Sequence, residues 1–562
     1  MLEVVDKNFA TYDAVVVGSG ATGGWAAKLL SEAGMTVAVV EAGQPVTPSD
    51  FSEHIQPYEL KYRGHSPLIA RHRAIQSLKY ACRESNYHWF VNDIENPYTA
   101  PPDKPFQWTR CRILGGRTMT WGRQSYRFSD LDFKAASRDG HGEDWPISYN
   151  DLRPYYEKVE RYIGISGTVE NLPQLPDSIF LPPMKMTSAE KYFSEAVKSK
   201  LGHTVTIGRT AMLTRNHNGR TACHHCGPCE QGCMTFSYFN SPFTTIKDAI
   251  ETGRADIFTN SVASHITRDA ATGLASGIAY IGRLTRAPRE IRARVVVLCA
   301  SSLESVRLLL NSGPEFANSS GLVGHYIMDH ASSGISGVLP LKEASRWFGP
   351  PRRPNGIYIP RFHNLDRVHT NGTIRGYGYQ GGADNTQFSV EKLSKLPGFG
   401  QRFKESIHSD REIRLGLGSF VECLPRYENF VALDKDLVDA WGIPALRMNV
   451  AWGDNEYNLI KSAADQGQEM MISAGAKDIE VSSEISIPGG KTHEVGGARM
   501  GNNSKSSVIN RYNQTHDVRN LFVADGAAFV SSACQNPTLT LMALTARACD
   551  YIIEFHSKGE LG

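Results

Sequence analysis

Residues 14–41 read AVVVGSGATGGWAAKLLSEAGMTVAVVE. An apolar run, Ala14 to Val17, leads into a glycine-rich turn. A helix-length segment with Trp25, Ala26, Leu29 and Leu30 at apolar spacing follows, then Gly34 and a second apolar run, Val37 to Val40. That order spells a βαβ unit. Gly18-x-Gly20-x-x-Gly23 stands where a dinucleotide fingerprint must stand, between strand and helix, and Glu41 closes the second strand 23 residues after the first glycine. Gly18 permits the tight turn, Gly20 lets a pyrophosphate approach the backbone, Gly23 packs helix on strand, and Glu41 accepts from a ribose hydroxyl. A glycine turn in an ordinary βαβ unit is the bland alternative, and the full context favours dinucleotide binding.

Outward from this unit, residues 45–103 are rich in Pro, Tyr and Arg, which suits an excursion from the first sheet. Residues 110–128, RCRILGGRTMTWGRQSYRF, carry Gly115 and Gly116 in a loop that reads as pressed against a flat or phosphorylated partner, or as a plain tight turn. Helices are expected over 146–165 and 187–201. Arg292 to Gly313 repeats the strand-then-helix pattern and should add a parallel strand to the first sheet. Alternating stretches within 331–480 predict an antiparallel, substrate-facing layer, whose Trp347, Tyr358, Tyr377 and Tyr379 fill a core or stack on a substrate, the core reading standing first. Residues 520–555 return to strand, glycine turn and long apolar helix, so the chain's end should rejoin the first sheet.

A chain of 562 residues with 41% hydrophobic and 21% charged content has ample core for several domain-sized pieces, which excludes disorder and fibre. Sixty Lys and Arg against 58 Asp and Glu leave a net charge of +2 with no long run of one sign, so no nucleic-acid partner is expected. No stretch has the length of apolar sequence that spanning a bilayer requires, and the N-terminus shows no export signal. Four cysteines crowd into CHHCGPCEQGC, residues 223–233. Cys223, Cys226, Cys229 and Cys233 give C-x2-C-x2-C-x3-C, the bacterial ferredoxin run, with Gly227, Pro228 and Gly232 bending the loop so that thiolates converge. No Pro follows Cys233 and no second run exists, so a [3Fe-4S] and a [4Fe-4S] cluster both remain open. Zinc, disulfides or buried thiols are the alternatives. His224 and His225 read as loop residues, and Cys299 and Cys534 as core.

GSGATGG with Glu41, LGGRTMTWG (114–122), VVVLCASSLESVRLLLNSG (295–313) and NLFVADGAAFVSSACQNPTLTLMALTARACDYI (520–552), in this order, resemble the glucose-methanol-choline (GMC) oxidoreductase family over nearly the whole chain. The resemblance implies an α/β fold: a Rossmann-like FAD-binding domain beside a discontinuous antiparallel-sheet substrate domain. The first would be assembled from residues 1–45, 104–125, 240–330 and 485–562. The second would come from 46–103, 126–205 and 331–484, with 206–239 as the cluster loop. It implies FAD held at Gly18, Gly20, Gly23 and Glu41, at Gly115, Gly116, Thr120 and Trp121, at Ala300, at Asp525 and Gly526, and at Asn536, Pro537 and Thr538. Thr120 stands where covalent-flavin relatives carry His, so FAD is expected to be non-covalent. HEVGGARMG (493–501) and CQNPTLTL (534–541) match the family's active-site turns, which makes His493 and Asn536 the catalytic pair, while His516 has no such motif position.

Alcohol oxidation removes a hydroxyl proton and a hydride, so a base near neutrality must face a hydride acceptor across the carbinol. His493 suits the base, and Asn536 can donate to the same oxygen but cannot take its proton. The expected activity is a dehydrogenase that oxidises a secondary hydroxyl of a sugar or glycoside, with C3 the candidate position. Electrons would pass from FAD through the cluster to a cytochrome c-type acceptor. Similar bacterial enzymes hold a three-iron cluster on cysteines matching Cys223, Cys229 and Cys233. They also pair with a small signal-bearing helper subunit, which implies a periplasmic site by co-export, and a cytoplasmic one otherwise. The alternatives are an oxygen-using pyranose or glycoside oxidase with a four-cysteine zinc site, a gluconate or sugar-alcohol dehydrogenase, and a non-catalytic flavin redox sensor.

Overall fold

Val37, Ala38, Val39 and Val40, all buried, form the strand Val37–Val40, and Tyr12–Val17 and the end of Pro288–Leu298 are built alike. In the computed structural model, which describes residues 9–341, 354–366, 369–370, 372–385, 398–409, 412–482 and 484–560, these three strands make the centre of a seven-stranded sheet. Its order is 255–258, 37–40, 12–17, 288–298, 275–282 and 261–268, and Leu521–Val523 pairs in parallel with the end of 288–298. Tyr12–Val17 pairs in parallel with Val37–Val40 on one side and with 288–298 on the other. The crevice beyond the carboxyl end of Tyr12–Val17 is therefore a topological switch point, where open α/β sheets bind ligands. The helix Ala21–Glu32 packs against the terminal helix Thr538–Ser557, which carries a largely buried face of Leu539, Met542, Ala543, Ala546 and Ile552. The expected helices are found at Tyr149–Ile163 and Ser188–Leu201, each opened by a capping box.

The second sheet has six strands in the order 477–481, 334–339, 413–421, 377–385, 357–359 and 206–207, antiparallel wherever neighbours pair. Thr206–Ile207, which lies inside the segment expected to be the cluster loop, is thus an edge strand of this sheet. The helices Asp454–Ser473 and Ser188–Leu201 cover one face through Leu459, Ile460, Met470, Phe193 and Val197. Strand alternation puts Tyr377 and Tyr379 under those helices and turns Gly378 and Gln380 to the opposite face. Tyr377, Tyr379 and Tyr358 are buried to 1% exposure or less; Tyr379 donates its hydroxyl to Ala463 and Tyr358 stacks on Tyr126, so these rings fill core and do not face a sugar. Trp347 lies outside the described residues. Among the described residues no helix is long and apolar enough to cross a membrane.

Candidate active site

At the switch point Gly18 holds φ +98°, and a Cβ there would lie 2.4 Å from the Cys299 carbonyl oxygen, so the two strand ends close on each other only around glycine. Gly23 is as constrained, its Cβ position falling 1.9 Å from the Gly18 oxygen. Gly115, at φ +85°, and Gly116 pack over this turn, with the Gly115 N–H donating to Ser19 Oγ at 2.8 Å. This turn borders a cleft of about 950 Å³ lined by Gly18, Gly20, Glu41, Gly116 and Ala300. Glu41 accepts from Ser19 N–H, Ser19 Oγ and Gly43 N–H, and burial raises its pKa. The helix Ala21–Glu32 opens on this cleft with no side-chain cap, which leaves first-turn N–H groups for an anion.

Arg110, Arg112 and Arg307 also line the cleft, and all three reach the single carboxylate of Glu304, at 3.3, 3.5 and 3.4 Å. Their charge holds the Glu304 carboxyl down at about 2 although the group is buried, and burial lowers Arg110 to about 10. Arg307 spends a second contact on Asp439, 2.9 Å away. Arg110 Nε and Arg112 Nη1 are buried donors without an acceptor. Two orphaned guanidinium donors beside an uncapped helix N-terminus are a diphosphate-binding arrangement. FAD, the cofactor that the resemblance implies, fits this donor set. Arg110-x-Arg112 was visible as alternation in an extended segment, which places both side chains on one face, but nothing local pointed to Glu304 or Arg307.

A second cavity, of about 640 Å³, adjoins the first, and Cys111 and Arg117 line both. It is bordered by Thr120, Trp121, His493, Asn536 and Thr538. His493 Nε2 and Asn536 Nδ2 stand 3.2 Å apart although 43 residues separate them. The chain brings them there by an antiparallel bridge between Met328 and Val495, whose register sets His330 opposite His493. His330 Nδ1 lies 2.7 Å from His493 Nδ1, and the His330 Nε2–H donates to the Ala533 carbonyl. Asp329 accepts the His493 and Lys491 backbone N–H groups at 3.0 and 3.2 Å. Arg117 ties the same turn down, donating to Thr492 O, Glu494 and Ser301 Oγ. These bonds hold Thr492 at φ +61°, a strained conformation for a β-branched residue next to His493. Burial first, then His330, Lys79, Arg117 and Lys491, push His493 well below the usual imidazole pKa, so the ring is unprotonated at neutral pH. Gln380 of the second sheet donates to Asn536 Oδ1 from across the cavity.

Five expected cofactor residues do not line the cavities: Gly23 and Gly115, which build the turn beside the first cleft, and Asp525, Gly526 and Pro537. Asp525 accepts from Ser305 Oγ at 2.5 Å and from Ala527 N–H, its carboxyl raised by burial to about 6. Gly526 abuts Ser302, where a Cβ would fall 2.2 Å from the hydroxyl oxygen. Pro537 opens the helix Thr538–Ser557. His516 bonds Ser507 Oγ, away from this site.

Among the described residues the cysteine loop does not form a single-ion metal site: no three His, Cys, Asp or Glu side chains gather as ligands of one metal ion. A zinc ion with Zn–S bonds near 2.3 Å requires sulfurs about 3.8 Å apart around one point. Cys229 and Cys233 lie in an apolar cluster with Met184, Met212 and Tyr238, and Cys223 packs at its edge. The thiols remain electrostatic neighbours. Burial, and then the nearby thiols, raise Cys226 to about 12, and Cys223, whose backbone contact with His225 opposes the shift, to about 11. Trp121 packs against this cluster from the active-site cavity, and Arg123 faces Cys229. His224 Nδ1 bonds Thr235, a loop contact.

A dinucleotide cleft at a switch point, opening into a cavity with a neutral histidine and an amide, defines a dinucleotide-dependent oxidoreductase of CH–OH donors. The chain belongs to the GMC oxidoreductase family, whose models match residues 12–332 and 425–545. It is 31% identical to 2-methyl-1,2-propanediol dehydrogenase of Mycolicibacterium austroafricanum, over 96% of this chain and 95% of the relative. It is 28% identical to the fructose dehydrogenase large subunit of Gluconobacter japonicus, over 97% and 98%. The solved structure of a pyridoxine 4-oxidase from Mesorbium loti shares the fold, with a TM-score of 0.60 and 16% identity over 97% of this chain and 99% of that one.

Proposed function

We propose that this protein is an FAD-dependent dehydrogenase that oxidises a secondary hydroxyl of a sugar or glycoside to a keto-sugar, with C3 the candidate carbon. The observation that carries the reading is the pairing of His493 Nε2 with Asn536 Nδ2 at 3.2 Å in a cavity that adjoins the Gly18–Glu41 cleft. A carbinol inserted between them donates its hydroxyl proton to His493 Nε2 and accepts the Asn536 N–H on its oxygen. Gln380, by holding Asn536 Oδ1, keeps the amide N–H turned toward that oxygen. FAD, bound non-covalently, supplies the acceptor for the hydride that leaves the carbinol carbon as the C=O bond forms. Gly18, Gly20, Gly23, Glu41, Arg110 and Arg112 would hold its adenosine diphosphate end, and Thr120, Trp121 and Thr538 would border the flavin.

The cysteine loop, in this reading, takes an iron–sulfur cluster on Cys223, Cys229 and Cys233, with or without Cys226. Four neighbouring thiols behind Trp121 suit a polynuclear cluster in donor chemistry, and loading would require the loop to turn its thiols inward. Such a cluster would pass electrons singly to a partner such as a cytochrome. That the fructose dehydrogenase relative is named a large subunit supports a multi-chain assembly.

Anaerobic mixing of the purified protein with a panel of sugars, glycosides and diols, while flavin absorbance is followed, tests the activity. Bleaching by a pyranoside but not by 2-methyl-1,2-propanediol supports the sugar reading, and the reverse refutes it. His493→Ala should abolish bleaching and retain FAD. Iron and acid-labile sulfide in the protein, with rapid reduction of artificial acceptors and little hydrogen peroxide, support the dehydrogenase. Full-rate peroxide production without iron overturns it in favour of an oxidase.

A further inference from the structure

The reading above leaves open how a histidine with two ring nitrogens is made to present a lone pair to the substrate. A neutral imidazole carries one N–H, and only the tautomer protonated on Nδ1 leaves Nε2 free to act as base. We propose that His330 is a positioning residue whose ring, anchored on the Ala533 carbonyl, fixes His493 in the Nδ1–H tautomer and so aims the Nε2 lone pair at the substrate hydroxyl. The inference rests on the assignment of His493 as the base.

One group in this chain of contacts has no choice of role. A main-chain carbonyl only accepts, so the His330 nitrogen facing Ala533 O, Nε2, bears the proton. His330 is buried, and burial keeps the ring neutral, so it has no second proton. Its Nδ1 is therefore an acceptor, and the partner it faces among the described residues is His493 Nδ1, at 2.7 Å, which must donate. His493 then has its proton on Nδ1 and a bare Nε2. The group 3.2 Å from that lone pair must in turn be a donor, which selects the NH2 end of Asn536. Asn536 Oδ1 consequently faces Gln380 as an acceptor, and Gln380 supplies an N–H to it.

Gln380, Asn536, His493, His330 and Ala533 thus form a line of hydrogen bonds, donors all pointing one way, whose direction is dictated at its far end by a backbone carbonyl. The line crosses three parts of the fold: the second sheet, the start of the terminal helix, and the paired segments around Met328 and Val495. The Phe420 ring, 5.8 Å from both imidazoles, packs beside the pair and limits their rotation. His330 touches neither the substrate position nor the cofactor cleft. When His493 Nε2 takes the hydroxyl proton, its Nδ1–H remains bonded to a neutral His330, which stabilises the imidazolium.

A neutron crystal structure of the full-length protein with its cofactor, or nitrogen-15 spectra of histidine-labelled protein with His493→Gln as the assignment control, reads the tautomer without any substrate. The expected result is a proton on His493 Nδ1 and none on Nε2. A proton on Nε2 overturns the proposal even if the enzyme oxidises alcohols. Conversely, an enzyme that bleaches with no alcohol but shows the expected tautomer sinks the base assignment and leaves the geometry standing. His330→Leu removes the acceptor and should lower kcat by about 100-fold or more, the scale of general-base catalysis, with KM changed only a few-fold and FAD retained. His330→Gln, whose side chain can accept from His493 and donate to Ala533, should restore kcat to within about 10-fold of the parent. If His330→Leu keeps both kcat and the Nδ1–H tautomer, or if His330→Gln folds, binds FAD and is as slow as His330→Leu, the residue is merely structural.

Discussion

Acidification should destabilise this protein through His330 by an amount that the structure sets. The ring is 2% exposed, and its burial, with the Lys491 cation nearby, lowers its pKa to about 4, from 6.5 for a solvated imidazole. In the unfolded chain the ring takes its proton near pH 6.5, whereas in the folded chain it stays neutral until about pH 4. Between those values the unfolded state binds the extra proton, so stability is present above pH 6.5 and is lost as pH falls. A shift of about 2.5 pH units at about 1.4 kcal/mol each amounts to about 3 kcal/mol, most of it gone by pH 4.5. The assay is urea unfolding by tryptophan fluorescence at pH 7 and pH 4.5, for the parent and for His330→Gln, with FAD saturating in both. Other acid-sensitive groups, such as Glu304, titrate in both proteins and cancel in the comparison. The variant should lose about 2 to 3 kcal/mol less than the parent over that interval. Parallel losses would refute a buried neutral imidazole at this position.

Gly18→Ala should yield a folded but colourless protein, because its Cβ would collide with the Cys299 carbonyl at 2.4 Å from a backbone at φ +98°; bound flavin per chain is the measurement. Arg112→Ala removes a buried donor that has no protein acceptor, so FAD affinity should fall about 10- to 100-fold, the worth of one charge-assisted hydrogen bond, as read by titrating apoprotein with FAD. Arg127→Met strands Glu160, which Arg127 holds by two bonds of 2.8 and 2.5 Å in the core, and should cost about 3 to 5 kcal/mol. Denaturant titration measures that loss, and FAD binding should stay near the parent's because neither residue borders the cleft.

Where the determinants were local, the sequence was readable. Gly18, Gly20 and Gly23 with Glu41 stand in a strand, turn and helix whose geometry is a matter of a few consecutive dihedrals, and Gly18, Gly20 and Glu41 line the cleft. Tyr377 and Tyr379 obey strand alternation and lie in the core. His493 and Asn536 were named through motif resemblance, since nothing in a spacing of 43 residues places two side chains 3.2 Å apart. His330, in the stretch Met328 to Ser332, carries no local mark at all among 18 histidines. Its importance comes from the register of Met328 on Val495. The cysteine loop carries a strong local signal in its spacing, while its packing beside Met184, Met212 and Tyr238 is a matter of tertiary structure.

By itself the sequence determined the βαβ unit, the glycine turn and the alternating strands, because each follows from backbone sterics and from periodicity within a dozen residues. Only the tertiary structure decided which charges share the cleft, which ring backs His493, and that Gln380 reaches Asn536 from the other sheet. Those are contacts between segments far apart in the chain, fixed by strand register and by tertiary packing, and a linear pattern contains no measure of either.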